Sequence, residues 1–162
     1  SCFVPKPHTP FQWEAQVTPE EYQRRVELLR SNMRSKAIRY NWHDRETSTI
    51  EAVLARGDRR VGCVIWEVVR NGGRLDAWDE GFSYARWLRA FESCGLDPAF
   101  YAHREREYGE ILPWSVVSAG VREAHLQSER EAAYKNEITP DCRRQCVGCG
   151  ASGLLEGGAC DA

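Results

Sequence analysis

Prolines at positions 5, 7 and 10 constrain this chain more than any other feature near its start. Each fixes its own φ, forbids a helix and lacks a ladder donor, so the stretch after Val4 has to be extended and irregular. Before it, Cys2-Phe3-Val4 reads as a short strand. After it, Thr18-Pro19-Glu20-Glu21 spells a helix start: Thr18 as N-cap, Pro19 in the first turn and Glu21 at the capping-box position. Tyr22, Val26, Leu29, Met33 and Ala37 then mark one apolar stripe, enough for a helix of about four to five turns. Ile38 to Trp42 alternates apolar and polar and reads as a strand. Strand, helix, strand in this order predicts a right-handed crossover between parallel strands, and with it an α/β fold.

Helices dominate the expectation from there on. Ser48 and Glu51 form a second capping box before Ile50, Val53 and Leu54, and Gly57 is a natural stop. Asp58 can cap the next helix, whose buried face is Val61, Val64, Ile65, Val68 and Val69, with Asn71-Gly72-Gly73 ending it. Asp79 can cap a third helix with Tyr84, Trp87, Leu88 and Phe91 inward, closed by Gly95. Residues 97–118 read as irregular, broken by Pro98 and Pro113, and a polar helix spans Val121 to Asn136.

Composition narrows the function classes. At 162 residues the chain has room for one ordinary domain. Its longest near-apolar run, Val61 to Trp66, stops at Glu67, far short of the roughly 20 residues of a membrane helix. The first residues lack the apolar stretch of a signal peptide, and the absence of an initiator methionine at Ser1 reads as a chain cut from something longer. Seventeen aromatic residues argue against disorder, and a net charge of −2 does not indicate nucleic acid as a partner. Arginine outnumbers lysine 19 to 3; coding bias accounts for this, while single arginines can still pair with carboxylates or stack on tryptophan. Four of the seven cysteines fall in the last 21 residues, a clustering that favours a local metal site in a reducing, cytoplasmic compartment over an evenly stapled secreted domain.

The tail carries the clearest spacing. Cys142, Cys146 and Cys149 can converge their thiolates on one centre, Cys160 can supply a fourth, and Gly148 and Gly150 let the backbone turn around it, while Asp141 braces the turn. The spacing is that of the cluster in radical S-adenosylmethionine enzymes, but that triplet sits early in those chains, so zinc or an auxiliary iron–sulfur cluster is the expectation here. Free thiols on a frayed terminus are the alternative. Three further groups are candidates for a substrate or cofactor pocket. Lys6, His8 and Gln12 lie in the stiff proline-rich loop at the end of the first predicted strand. His43 and Asp44 lie at the end of the second, where α/β folds collect ligand-contacting groups, although Asp44 also suits the turn before a helix. Arg56 and Asp58 lie in the charged knot Ala55-Arg56-Gly57-Asp58-Arg59-Arg60, where two helix ends meet and an anion could bind; capping and solvated charge is the plainer reading. Trp78-Asp79-Glu80 and Glu110-Ile111-Leu112-Pro113-Trp114 read as packing and capping elements.

Taken together, FVPKPHTPFQW at 3–13, WHD at 42–44, ARGDRR at 55–60, WDE at 78–80, LPW at 112–114, Gly120-Val121 and the terminal cysteines resemble the C-terminal part of radical S-adenosylmethionine proteins that carry an N-terminal cobalamin-binding domain. The resemblance implies three regions: 1–45 as the last strands and crossover helix of a partial TIM-type barrel, 46–137 as a helical region, and 138–162 as a Cys-rich metal-binding tail. It implies a 4Fe–4S cluster, S-adenosylmethionine and cobalamin in the parent protein. The partners would be the remainder of the barrel and the cobalamin-binding domain. This chain would complete the barrel and the substrate pocket, and alone would be inactive. A metal-stabilised binding or interaction module without catalysis is the alternative from a different class.

Overall fold

Thr18 opens the first helix as its sequence position predicts, its side-chain oxygen accepting the Glu21 N–H at 3.4 Å. In the computed structural model, which describes residues 3–35, 37–78 and 80–154, six α-helices follow one another. They are α1 (Pro19–Asn32), α2 (Arg45–Arg56), α3 (Val61–Arg70), α4 (Tyr84–Ser93), α5 (Pro98–Ala102) and α6 (Glu123–Tyr134), with a 3₁₀ turn at Ala151–Leu154. There is no strand among the described residues. The expected α/β barrel edge is therefore wrong: the described part of this chain is a small helical domain.

The reason is physical. Ile38 to Trp42 does alternate, but no second extended segment lies beside it, and a lone strand has nowhere to send its backbone hydrogen bonds. Instead Ile38 is 59% exposed, and Tyr40 stacks on Trp42 with ring centroids 5.3 Å apart. The Arg30 guanidinium at the end of α1 covers the Trp42 ring at 5.1 Å. Of the other predicted strand, Cys2 lies outside the described residues. Phe3 sets its ring edge-on against Phe11, and the chain turns through residues 7–13 without pairing. The crossover helix exists as α1 but stops at Asn32, burying Tyr22 and Val26 while Leu29 and Ala37 stay exposed.

Helix α2 starts earlier than the Ser48 capping box predicts. Asp44 is its N-cap, accepting from the backbone of Glu46 at 2.9 Å and Thr47 at 3.0 Å. Ser48 is buried within the helix, and its carbonyl accepts from Gln16 Nε2. Gly57 ends α2 as expected: a Cβ there would lie 2.7 Å from both the Val53 carbonyl and a Val61 methyl, so only glycine lets α3 start this close. On α3 the inward residues are Val61, Val64 and Val68, while Ile65 and Val69 face outward. Ser83 caps α4; the expected cap Asp79 lies outside the described residues. Cys63 of α3 and Cys94 at the end of α4 form a disulfide across these packed neighbours, their Cα atoms 6.3 Å apart. Asp97 and Pro98 start α5 in the stretch read as irregular.

Two apolar clusters hold the helices. The larger joins Ile50 and Val53 of α2, Val61, Val64 and Val68 of α3, Trp87 and Phe91 of α4, and Tyr101 of α5. The smaller brings Trp13 from the N-terminal loop against Leu112 and Leu126 of α6, with Tyr108, Trp114 and Val121 around them. Charged groups fill the junction between the two.

Candidate functional site

That junction is built from the end of α2 and the chain leaving α5. After His103 burial alternates along the chain: Arg104 is half-buried and Arg106 buried, while Glu105 and Glu107 are exposed. Arg56, the last residue of α2, is fully buried. Its Nη1 donates to the Ala102 carbonyl at 3.0 Å and its Nη2 to the Arg104 carbonyl at 3.3 Å, strapping the end of α5 to α2. Burial, with the Arg106 and Arg104 charges next, pushes the Arg56 guanidinium down to about 10.

Arg106 is the second buried arginine. Its side chain is 2% exposed, its guanidinium lies over the Trp114 ring at 5.2 Å, and its Nη2 donates to the Arg56 carbonyl at 3.1 Å. Nε and Nη1 of Arg106 have no hydrogen-bond acceptor. The nearest carboxylate oxygen, Glu110 Oε1, lies 3.7 Å from Nε. Burial lowers the Arg106 pKa, and the Arg104 charge lowers it further. Glu110 is turned to Arg104 instead, accepting from its Nη1 at 2.7 Å and Nη2 at 2.6 Å. These bonds hold the Glu110 carboxyl below its usual range and raise Arg104.

Around these groups opens a cleft of about 370 Å³ lined by Asp58, Arg60, Phe100, Tyr101, Arg104, Arg106 and Glu110, with Ile111, Pro113 and Val116 on the rim. Arg60 grips Asp58 with Nε and Nη2, and the Tyr101 hydroxyl reaches Asp58 at 3.4 Å. Asp58 is thereby held low by Arg60, while burial raises the Tyr101 hydroxyl. Arg104 lies 4.6 Å over the Phe100 ring. Three arginines, Asp58 and Glu110 make its charged wall. Such a wall can bind an anion.

The predicted site residues divide among four places. Arg56 and Asp58 belong to this junction, Arg56 behind the cleft and Asp58 on its edge. His8 and Gln12 line a separate groove of about 200 Å³ with Leu112, Trp114 and Val121. Gln12 Oε1 accepts both the His8 N–H at 2.9 Å and Trp114 Nε1 at 2.7 Å, and fixes His8 at φ 56°. Lys6 is exposed and paired with Glu51 of α2. His43 and Asp44 sit at the far end of α2 from Arg56, about 18 Å away along a twelve-residue helix. His43 is exposed and contributes its carbonyl to the Tyr22 hydroxyl; Asp44 is the cap. Those two do not join the cleft.

In the tail, Asp141 braces its turn by accepting from the Arg143 N–H at 2.9 Å, and Arg122 N–H donates to the Cys149 carbonyl at 2.8 Å. Cys142 and Cys146 are exposed and Cys149 is half-buried; Cys160 lies outside the described residues. Among the described residues no three His, Cys, Asp or Glu side chains are placed to hold a metal ion. Sequence reasoning missed Arg104, Arg106 and Glu110. The signal was the alternation Arg104-Glu105-Arg106-Glu107-Tyr108, a period of two written in charges instead of hydrophobes. No helix among the described residues is long and apolar enough to cross a membrane. No known family model, curated protein or solved structure matches this chain.

Proposed function

We propose that this chain is the helical C-terminal portion of a radical S-adenosylmethionine protein with a cobalamin-binding domain, packed against the catalytic part of its parent and helping to wall the substrate pocket there. One observation supports this reading: three of the segments that carry the resemblance, far apart in sequence, are linked by hydrogen bonds. Gln12 of FVPKPHTPFQW accepts from Trp114 of LPW at 2.7 Å. The Trp13 carbonyl accepts from the Arg106 N–H at 2.8 Å, and Arg106 in turn donates to Arg56 of ARGDRR. Residues that recur together in one motif set and also touch in the fold are what a shared packing unit requires.

In such a parent the iron–sulfur cluster supplies the electron that cleaves S-adenosylmethionine. In this reading the contribution of this chain is a docked wall of side chains. The test is the reading frame followed by reconstitution. The frame encoding this chain is expected to carry a radical S-adenosylmethionine cluster motif upstream. Anaerobic protein containing both parts is expected to form 5′-deoxyadenosine, and this chain alone none. A frame without the motif overturns the reading.

A further inference from the structure

We infer that the cleft walled by Arg104, Arg106 and Glu110 binds an oxyanion, a carboxylate or phosphate carried on an apolar body, independently of the family reading above. The first observation is an unmet hydrogen-bonding capacity. Arg106 is buried to 2% side-chain exposure, yet two of its three guanidinium nitrogens have no acceptor. Its pairing with Glu110 is loose, at 3.7 Å, and orphaned buried donors of this kind in a folded protein call for an occupant.

The second observation is the charge count at the wall. Arg104 Nε is also without an acceptor, and among the described residues Glu110 is the one carboxylate within 4.0 Å of either guanidinium. Arg130 shows the contrast. It is similarly placed between loops, but its Nε, Nη1 and Nη2 all donate, to Glu14, Tyr108 and Glu105. Arg130 is finished as a structural strap; Arg106 is not. Glu110 then acts as a resident counter-anion, on a side chain exposed enough to swing aside when a ligand oxyanion takes its place.

The rim supplies the second half of the ligand's chemistry. Ile111 and Val116 are each 89% exposed at the mouth, and Phe100 offers its ring beside Arg104. Apolar side chains left this open around a cationic floor fit a ligand whose anionic group goes in first and whose body stays between them.

The test follows the arginine Nε–H signals of the isotope-labelled chain at low ionic strength, titrated separately with acetate, benzoate, inorganic phosphate and phenyl phosphate. Saturable shifts of Arg104 and Arg106 are expected with at least one oxyanion class, which assigns the source as carboxylate or phosphate. The aryl member of that pair is expected to bind at least about threefold more tightly, from apolar burial at the rim. Glu110→Gln removes the competing carboxylate and is expected to tighten binding about tenfold, while Arg104→Gln weakens it by a similar factor. Arg104 is a third exposed, so its substitution leaves the core intact, and Lys6→Gln, away from the cleft, is the unaffected control. No saturable shift in either the wild type or Glu110→Gln overturns the inference, as does unchanged binding in Arg104→Gln. Equal affinity within a pair overturns the apolar body.

Discussion

Arg106 donates from Nη2 to the backbone carbonyl of Arg56 at 3.1 Å, so two buried cations are tied together by a bond that brings no counter-charge. Arg56 is held by carbonyl dipoles, while Arg106 adds a loose pairing with Glu110, 3.7 Å from its Nε. The arrangement stabilises the junction between the two apolar clusters only while every long side chain keeps its slot.

Arg56 therefore separates packing from charge. Arg56→Ala leaves a cavity and two buried carbonyls, at Ala102 and Arg104, without donors, and should cost about 3–5 kcal/mol. Arg56→Met refills most of the slot and removes a costly buried charge, so it should retain clearly more stability than the alanine variant. Urea unfolding followed by circular dichroism measures both; a methionine variant as unstable as the alanine one contradicts this account.

Gln12 holds two donors on one oxygen, the His8 backbone and the Trp114 indole. Gln12→Ala unties both and should destabilise by about 1–3 kcal/mol. Because Trp114 loses its anchor, its fluorescence should also shift towards that of a solvated indole before global unfolding begins. Fluorescence and circular dichroism transitions that coincide in the variant would speak against a local loosening.

Glu110 carries a pH dependence of definite sign. Its pKa is lowered in the folded chain, first by the Arg104 hydrogen bonds, so the folded state binds the proton less readily than the unfolded state. The stability this contributes is present above the ordinary carboxylate value and is lost as pH falls through the lowered one. Glu110→Gln should thus be less stable than wild type at neutral pH, and the difference should shrink towards zero on acidification below the ordinary value. Unfolding midpoints of the pair across that range check it; a gap that widens in acid is the wrong sign.

Asp44 tests whether WHD serves as a cap. As the N-cap of α2 it accepts from Glu46 and Thr47, and Asp44→Ala should cost about 1 kcal/mol while Asp44→Asn, an equally good cap, costs little. Thermal unfolding of the two variants decides. Equal loss in both would mean that the charge matters, not the cap.

The sequence was legible wherever the signal was local. Thr18-Pro19, Gly57, Asn71-Gly72-Gly73 and Gly95 mark helix ends by chemistry within one turn, and the helix ends fall there. Ile38 to Trp42 failed because alternation specifies a strand only if a partner strand exists, and that is a fact about the rest of the chain. Here the same alternation serves to place Tyr40 and Trp42 together, with Arg30 over the Trp42 ring. Five-residue α5 is too short for any periodicity to show, although Asp97-Pro98 was its written start. At the candidate site Arg56 and Asp58 could be singled out by their dense charge. Arg104 and Arg106 could not, since an exposed and a buried charge look alike in sequence until the backbone says which way each turns.

The Cys63–Cys94 disulfide closes α3, the loop bearing Leu75 and Trp78, and α4 into a covalent ring. Leu75 and Trp78 of that loop stand out from the surface. A protease that cuts there opens the ring without releasing a fragment: the halves of the chain stay joined through sulfur and travel as one mass. Only a reductant would part them, so the same digest run with and without one would read the bond directly, as one band or as two.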